Sequence, residues 1–236
     1  MLRIEDLTAG YGKFQVLFDI TAHIKKGKIV AIVGPNGSGK STLVKTIMGL
    51  TQIYSGKIFF EGDDITKLAT HLVTRRGITY LSQTENVFAE LMLKENLTMA
   101  SYILNKNESR ERVKEVLNIF PILKKFMDKK CRFLSGGERQ MAAMGMAMMR
   151  KPKIVLFDEP VASLAPKISI EILDKIKELR DRYGITVVLI EQAAKRALQL
   201  ADNAILLING RVAYEGDSKG LLTHPKLGKF YLGIKS

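Results

Sequence analysis

The sequence is poor in cysteine and histidine and contains no tryptophan. The single cysteine, Cys131, excludes an intramolecular disulfide, and it lacks the second thiol that a structural zinc site or a dithiol redox site requires. The histidines, His23, His71 and His224, lie far apart in the sequence. A metal site built from protein ligands alone is therefore not expected, and we expect Cys131 to be a small, partly buried side chain.

Long apolar runs are also missing. No run approaches the roughly 18 residues that a membrane-spanning helix needs, and the first residues, MLRIEDL, lack the charged and then apolar segments of a signal peptide. We therefore expect a cytosolic chain. With 236 residues, of which 46% are hydrophobic, the protein can bury a full core, so we expect one large domain or one domain with an inserted lobe.

Acidic residues are fewer than basic ones, at 24 against 37, and the net charge is +13. Such an excess suits nucleic acid, an acidic membrane surface or an anionic substrate. The basic residues occur in scattered pairs with few aromatic residues between them, so their order reveals no dedicated nucleic-acid patch. Charge alone leaves the three partner classes open.

Strand-like and helical segments alternate along most of the chain, which predicts an α/β fold with a parallel sheet covered by helices. We predict strands at residues 3–7, 16–24, 29–33, 56–60, 78–81, 154–157, 186–190, 204–208 and 211–215, and helices at 40–50, 108–120, 141–150, 168–183 and 193–201. Between about residues 91 and 150 the strand pattern disappears, and residues 108–120 are amphipathic. We expect an inserted helical lobe there.

A glycine-rich loop follows the apolar run Ile29–Val33 and precedes a predicted helix. In this context the loop predicts a phosphate site, because glycines let backbone N–H groups converge on phosphate and a helix N-terminus adds a positive dipole end. Lys40 supplies a cation for the β- and γ-phosphates, and the Ser41 hydroxyl can ligate Mg²⁺. The alternative is a structural turn. The loop residues are Gly34, Pro35, Asn36, Gly37, Ser38, Gly39, Lys40, Ser41 and Thr42.

Two carboxylates, Asp158 and Glu159, end a second apolar run at residues 154–157. A buried strand that ends in acids delivers them to the edge of the sheet where α/β proteins place their chemistry. Asp158 fits coordination of Mg²⁺, and Glu159 fits a general base that polarises the attacking water. A solvated acidic turn is the alternative for this pair.

A second glycine-rich segment, LSGGERQ, begins at Leu134 and also precedes a predicted helix. Its N–H groups could bind the phosphates of a nucleotide that is held by a second protomer, because a helix N-terminus attracts phosphate from either chain. A plain helix cap remains the alternative. The segment contributes Ser135, Gly136, Gly137 and Glu138.

In their order and spacing, the phosphate loop, the LSGGE segment and the IVLFDEP strand resemble the nucleotide-binding subunit of an ATP-binding cassette (ABC) transporter, over nearly the whole chain. The resemblance implies a RecA-like P-loop NTPase core with an antiparallel β subdomain and an α-helical subdomain, at about residues 91–150 of a single domain 1–236. It implies ATP and Mg²⁺ as cofactors and a head-to-tail dimer. Each ATP would lie between one chain's phosphate loop and the other chain's Ser135, Gly136 and Gly137.

Three further residues receive roles from the resemblance. Tyr11 matches the aromatic residue that stacks on adenine, with an exposed turn tyrosine as the alternative. Gln83 matches the glutamine that joins Mg²⁺ and the attacking water to the permease contact, with a bland surface glutamine as the alternative. Gln192 stands where a histidine usually contacts the γ-phosphate; an amide can donate a hydrogen bond but cannot carry a proton. This difference favours Glu159 as the base.

Departures from the general family pattern resemble the smaller ATPase subunits of branched-chain amino acid importers. In Ala165-Pro166, Ala165 stands where most cassettes have an aspartate. The other two departures are Glu191-Gln192 and Tyr231-Leu232-Gly233. This resemblance implies a peripheral protein on the cytoplasmic membrane face that drives permease subunits, as a homodimer or as a heterodimer with a related ATPase. An extracytoplasmic solute-binding protein would be an indirect partner.

Other family members remain as alternatives. Urea or amide importers share these features, and a cassette of this type could serve another membrane complex. Nucleic-acid-acting ABC ATPases carry long coiled coils or two cassettes in one chain, and the sequence shows neither feature. We therefore expect no nucleic-acid partner.

Overall fold

Ten strands form two sheets in the structure, a computed structural model that describes residues 1–84, 86–102 and 104–224. The segment Tyr231-Leu232-Gly233 lies outside these residues. The strands are β1 (Leu2–Tyr11), β2 (Phe14–Ile24), β3 (Ile29–Val33), β4 (Gln52–Phe60), β5 (Asp63–Asp64), β6 (Ile78–Leu81), β7 (Ile154–Asp158), β8 (Thr186–Ile190), β9 (Asn203–Ile208) and β10 (Arg211–Asp217).

The two sheets differ in strand direction. β1, β2, β4 and β5 pair antiparallel in the order β2-β1-β4-β5. The other sheet has the order β10-β9-β3-β8-β7-β6 and is parallel except for β10. Every residue of β3, β7 and β8 is buried, as expected for parallel strands with both faces covered.

Eight helices cover the sheets in the described part of the chain. They are α1 (Lys40–Ile47), α2 (Thr70–Arg75), α3 (Leu93–Ala100), α4 (Lys106–Ile119), α5 (Gly136–Met148), α6 (Pro166–Tyr183), α7 (Ala194–Leu200) and α8 (Ser218–Thr223). Because side chains alternate along a strand, β3 feeds two cores. Val30 and Ile32 pack with the antiparallel sheet and α1, whereas Ala31 and Val33 pack with the helices on the other face.

The expected helical lobe consists of α3, α4 and α5, with 3₁₀ turns at Pro121–Phe126 and Cys131–Phe133. Its core includes Leu97, Val116, Leu123 and Met144. Cys131 is buried there as a free thiol, in agreement with the prediction for this residue. Among the described residues, no helix is long and apolar enough to span a membrane.

Several element boundaries differ from the sequence predictions. The helix predicted at 141–150 begins at Gly136, because Ser135 caps it. The strand predicted at 56–60 begins at Gln52, because β4 pairs with β1 as far as Gly10. The short strand β5, which pairs with the end of β4, is not among the predicted strands. In each case, contacts distant in sequence or cap bonds extend the element beyond its apolar residues.

Candidate active site

The phosphate loop connects β3 to α1 at the carboxyl edge of the parallel sheet. Gly39 has a φ of +99°, and a Cβ atom there would come within 2.8 Å of the Leu17 side chain. Only glycine combines this backbone with this close approach. Asn36, Gly37, Lys40 and other loop residues line a cavity of 310 Å³ that Glu159 also lines.

Lys40 turns its ammonium group back onto the loop. Its Nζ atom donates to the carbonyl oxygens of Gly34 (2.9 Å) and Pro35 (3.0 Å). Burial lowers the pKa of Lys40, and the charges of Glu159 and Asp158 partly oppose this effect. The Ser38 hydroxyl is buried without a hydrogen-bond partner among the described residues. A partly desolvated cation and an unpaired hydroxyl beside a glycine-rich backbone fit a bound phosphate group.

Asp158 lies at the end of β7 and is almost completely buried, with 4% exposure. Its Oδ1 atom accepts a hydrogen bond from Ser41 Oγ (2.9 Å), and its Oδ2 atom accepts one from Tyr80 Oη (3.0 Å). The structure thus joins two of the three predicted Mg²⁺ ligands, Ser41 and Asp158, whereas Gln83 binds Glu159. Oxygen ligands of this kind suit Mg²⁺, which binds through one or two carboxylates while phosphates and water complete its coordination.

Glu159 accepts hydrogen bonds from both glutamines that the resemblance assigns to the site. Gln83 Nε2 and Gln192 Nε2 each donate to Glu159 Oε2, both at 3.1 Å. Glu159 also has a φ of +53°, a left-handed conformation that is uncommon for a residue with a side chain. Backbone strain of this type concentrates at functional sites. The amides and the backbone together orient one carboxylate beside the loop cavity.

Tyr11 lies at the exposed end of β1, where β1 and β2 form a hairpin beside the phosphate loop. The Tyr54 hydroxyl donates to the carbonyl oxygen of Gly12 (2.8 Å) and so ties β4 to this hairpin. Val16 of the same hairpin lines the loop cavity. The 43% exposure of Tyr11 leaves its ring accessible for stacking.

The LSGGE segment begins α5. Ser135 Oγ accepts from the N–H of Glu138 (3.3 Å), and Glu138 Oε2 accepts from the N–H of Ser135 (2.7 Å). This reciprocal pair is a capping box, so Ser135 does cap a helix. A Cβ atom at Gly137 would come within 2.4 Å of Ile168 on α6, which explains the need for glycine there.

Within one chain, the LSGGE segment and the phosphate loop line different cavities in the described structure. The loop cavity is lined by loop residues, Val16 and Glu159, without Ser135, Gly136, Gly137 or Glu138. A separate cavity of 350 Å³ brings Gly136 together with Gln83 and Glu159. Within one chain, the LSGGE segment therefore does not line the cavity of its own phosphate loop.

Two residues of the site were not assigned roles from the sequence. Tyr80 binds Asp158, and burial, followed by the charge of Asp158, raises its pKa well above the ordinary value. A strand-register argument could have found it, because Tyr80 pairs with Leu156, which shares a sheet face with Asp158. Glu191 is the second such residue; it is buried with 4% exposure and lies next to Gln192. A lone glutamate after a strand carries no comparable sequence signal.

Comparison with known proteins decides the family. A profile described as ABC transporter matches residues 17–162. The chain belongs to the ABC transporter family. It is 50% identical to the probable branched-chain amino acid transport ATP-binding protein LivF of Archaeoglobus fulgidus, over 99% of each chain. It is 42% identical to the high-affinity branched-chain amino acid transport ATP-binding protein BraG of Pseudomonas aeruginosa, over 99% of this chain and 100% of BraG.

Solved ABC cassettes share the fold. The ADP conformation of MJ1267, an ATP-binding cassette of an ABC transporter, superposes with a TM-score of 0.88 at 29% identity, over 97% of each chain. The dimeric post-hydrolysis state of the cassette MJ0796, bound to ADP and Pi, superposes with a TM-score of 0.80 at 27% identity, over 92% of this chain and 99% of that chain. The predictions of a RecA-like ABC fold and of an ATPase are confirmed. The extent of the domain and the roles of the individual site residues remain predictions.

Proposed function

We propose that this protein is the ATP-hydrolysing subunit of an importer for branched-chain amino acids. The observation that carries the ATPase role is the convergence of two amides on Glu159, beside the cavity that contains Lys40. The solute is inferred from the names of LivF and BraG and from the Ala165-Pro166 and Glu191-Gln192 features, which resemble the smaller ATPase subunits of such importers.

In the proposed mechanism the phosphate loop binds the triphosphate. The loop N–H groups and Lys40 neutralise the β- and γ-phosphates, and Lys40 exchanges its two carbonyl contacts for phosphate oxygens. Tyr11 stacks on adenine. Ser41, Asp158 and Gln83 would hold Mg²⁺, which when bound neutralises charge on the phosphate oxygens.

Glu159 accepts a proton from the attacking water. Gln83 and Gln192 both hold its Oε2 atom, so the carboxylate keeps its orientation toward the loop cavity while it acts as the base. Gln192 also contacts the γ-phosphate as a hydrogen-bond donor. Because Gln192 is an amide, the proton goes to Glu159.

The complete site requires two chains. Ser135, Gly136 and Gly137 of one chain would cover the ATP that the other chain's phosphate loop holds, because they do not line the loop cavity of their own chain. The dimeric MJ0796 cassette with ADP and Pi supports this arrangement by analogy. The dimer contains either two copies of this chain or one copy with a related ATPase.

The assembled ATPase is proposed to act on the cytoplasmic face of the membrane, attached to permease subunits. A solute-binding protein outside the cytoplasm would deliver the amino acid and would contact this chain only indirectly. ATP binding closes the dimer, and hydrolysis reopens it, so the cycle transmits motion to the permeases.

Reconstitution tests the proposal. The chain is placed in vesicles with its permeases, partner ATPase and solute-binding protein, and ATP hydrolysis is measured with leucine, isoleucine, valine or urea. We expect the branched-chain amino acids to stimulate hydrolysis and urea to have no effect, with Lys40→Ala as the inactive control. Stimulation by urea alone would show that urea, and not a branched-chain amino acid, is the solute. The absence of hydrolysis under every condition would refute the ATPase role.

A further inference from the structure

Three consecutive residues at the end of β8 each bind the segment that carries Glu159. The carbonyl oxygen of Ile190 accepts from the N–H of Glu159 (3.0 Å). Glu191 Oε1 accepts from the N–H of Val161 (3.3 Å). Gln192 Nε2 donates to Glu159 Oε2 (3.1 Å). The middle contact has no role in the function proposed above.

The backbone after Glu159 turns sharply; the Ala162 N–H donates to the carbonyl oxygen of Glu159 (3.1 Å) within the turn, and other contacts hold it from outside. Glu159 and Ser163 both have positive φ values, at +53° and +63°. Conformations of this kind are unfavourable for residues with side chains and persist only where the surroundings enforce them. The Glu191 carboxylate is the side chain that holds the middle of this turn, through the N–H of Val161.

The hydrogen bond between the Val161 N–H and Glu191 is buried. Val161 is buried with 9% exposure, and Glu191 is buried with 4% exposure. A buried N–H that loses its acceptor is energetically unfavourable, so a turn without Glu191 would relax to another conformation. Such a relaxation would rotate the Glu159 carboxylate, because Glu159 lies two residues before Val161 on the same turn.

We propose that Glu191 is a positioning residue for ATP hydrolysis, which holds the turn at residues 159–161 so that the Glu159 carboxylate faces the bound nucleotide. The proposal rests on the role of Glu159 as the base. Glu191 acts through an acceptor oxygen, and an amide oxygen at the same place would serve as well. Glu191 does not line the loop cavity, so it affects the rate of hydrolysis and not the affinity for ATP.

The test compares Glu191→Gln, which retains the acceptor oxygen, with Glu191→Leu, which removes it. Hydrolysis by the full chain is measured as kcat and KM, and ATP affinity is measured separately by equilibrium binding. We expect Glu191→Leu to lower kcat about tenfold or more while the Kd for ATP changes less than about twofold. Glu191→Gln should keep kcat within about threefold of the wild type.

Thr79→Val is the matched control, because Thr79 is buried on the neighbouring part of the parallel sheet and its hydroxyl has no partner among the described residues. Its kcat should equal that of the wild type. If Glu191→Leu does not fold, as judged by its melting transition, Glu191→Ala provides the same comparison without a branched apolar side chain.

Three outcomes would overturn the positioning role: unchanged kcat in the variant without the acceptor, equal loss of kcat in the Gln and Leu variants, or parallel losses of kcat and ATP affinity. Wild-type hydrolysis separates this inference from the proposed function. If the wild type hydrolyses ATP and only these comparisons fail, Glu191 has no positioning role and the ATPase proposal stands.

Discussion

At the scale of single residues, the site separates binding from chemistry. Lys40 and the loop backbone offer positive charge, whereas Glu159, the proposed base, accepts hydrogen bonds from both glutamines. Neither glutamine can replace it, because an amide does not accept a proton at neutral pH. Substitutions should therefore affect ATP affinity and hydrolysis in different proportions.

Removal of the loop lysine should abolish hydrolysis and weaken ATP binding. In Lys40→Ala the triphosphate loses its closest cation, and we expect the Kd for ATP to rise about tenfold or more. Lys45→Ala is the control, because Lys45 lies in the last turn of the same helix and does not line the loop cavity. Equilibrium binding and phosphate release measure both effects. Near-normal turnover in Lys40→Ala would remove the phosphate-loop assignment.

Substitution of Glu159, the proposed base, should slow hydrolysis more than substitution of Gln192. We expect Glu159→Gln to lower single-turnover hydrolysis at least about 10²-fold, since the variant loses the proton acceptor. Gln192→Ala should cause a smaller loss, because it removes only a hydrogen bond to Glu159 and the proposed contact to phosphate. The reverse order of rates would show that Gln192 is the more important residue.

The buried carboxyl of Glu191 makes stability depend on pH. Burial raises the pKa of Glu191 from its ordinary value of 4.5 to about 7; the charge of Glu159 adds to this shift, while the Val161 N–H and Arg196 oppose it. Between these values the folded state binds more protons than the unfolded state, so the free energy of unfolding falls as pH rises. Glu191→Gln lacks this effect.

We therefore expect Glu191→Gln to gain stability relative to the wild type as pH rises from 5 to 7.5, by on the order of 2 kcal/mol. Urea unfolding of both proteins at several pH values measures the difference. Two pH profiles that run parallel through this range would contradict a raised pKa at this carboxyl.

At the scale of elements, the sequence predicts the type of most helices and strands better than their ends. Apolar periodicity identifies the buried strands, because both faces of β3, β7 and β8 are covered. It fails at the start of α5, because Gly136 and Gly137 are poor helix formers whose place in the helix depends on the Ser135 cap and on packing against α6.

Two helix caps allow a matched test of the LSGGE segment. Ser135 caps α5, and Asn105 caps α4 with the same reciprocal glutamate contact, remote from the site. Ser135→Ala and Asn105→Ala should each lower the free energy of unfolding by about 1 kcal/mol. Only Ser135→Ala should weaken ATP-dependent dimerisation as well, because only this hydroxyl is proposed to contact the partner's nucleotide.

Thermal unfolding and analytical ultracentrifugation in ATP measure the two properties. Equal dimerisation by both cap variants would show that Ser135 serves only its own helix. This outcome would favour the plain helix-cap interpretation of the segment and would remove Ser135 from the shared site.

At the scale of the whole molecule, the motifs predict the site's members but not its contacts. The sequence predicts the phosphate loop and the Asp158-Glu159 pair, because each lies at the end of a buried strand. The convergence of Gln83 and Gln192 on one carboxylate oxygen does not follow, because these residues come from separate strand ends whose loops the sequence does not position. Glu191 was missed because its partner, Val161, is distant in sequence, whereas the pairing of β6 with β7 could have revealed Tyr80.

The net charge of +13 is also a property of the whole molecule. It is compatible with an anionic membrane surface and with nucleotide phosphates, and transport relatives favour that interpretation over nucleic acid. A dimer that formed with DNA or RNA at physiological salt, in place of ATP, would favour nucleic acid instead.

The most direct test of the shared ATP site is the size of Glu159→Gln in ATP and Mg²⁺, compared with its size in ADP. In the proposed site, ATP between Lys40 of one chain and Ser135-Gly136-Gly137 of the other would link the protomers, and hydrolysis would release them. We predict a stable dimer in ATP, alone or with the related ATPase, and a monomer in ADP. A variant that binds ATP tightly but stays monomeric, even when mixed with that ATPase, would contradict the account.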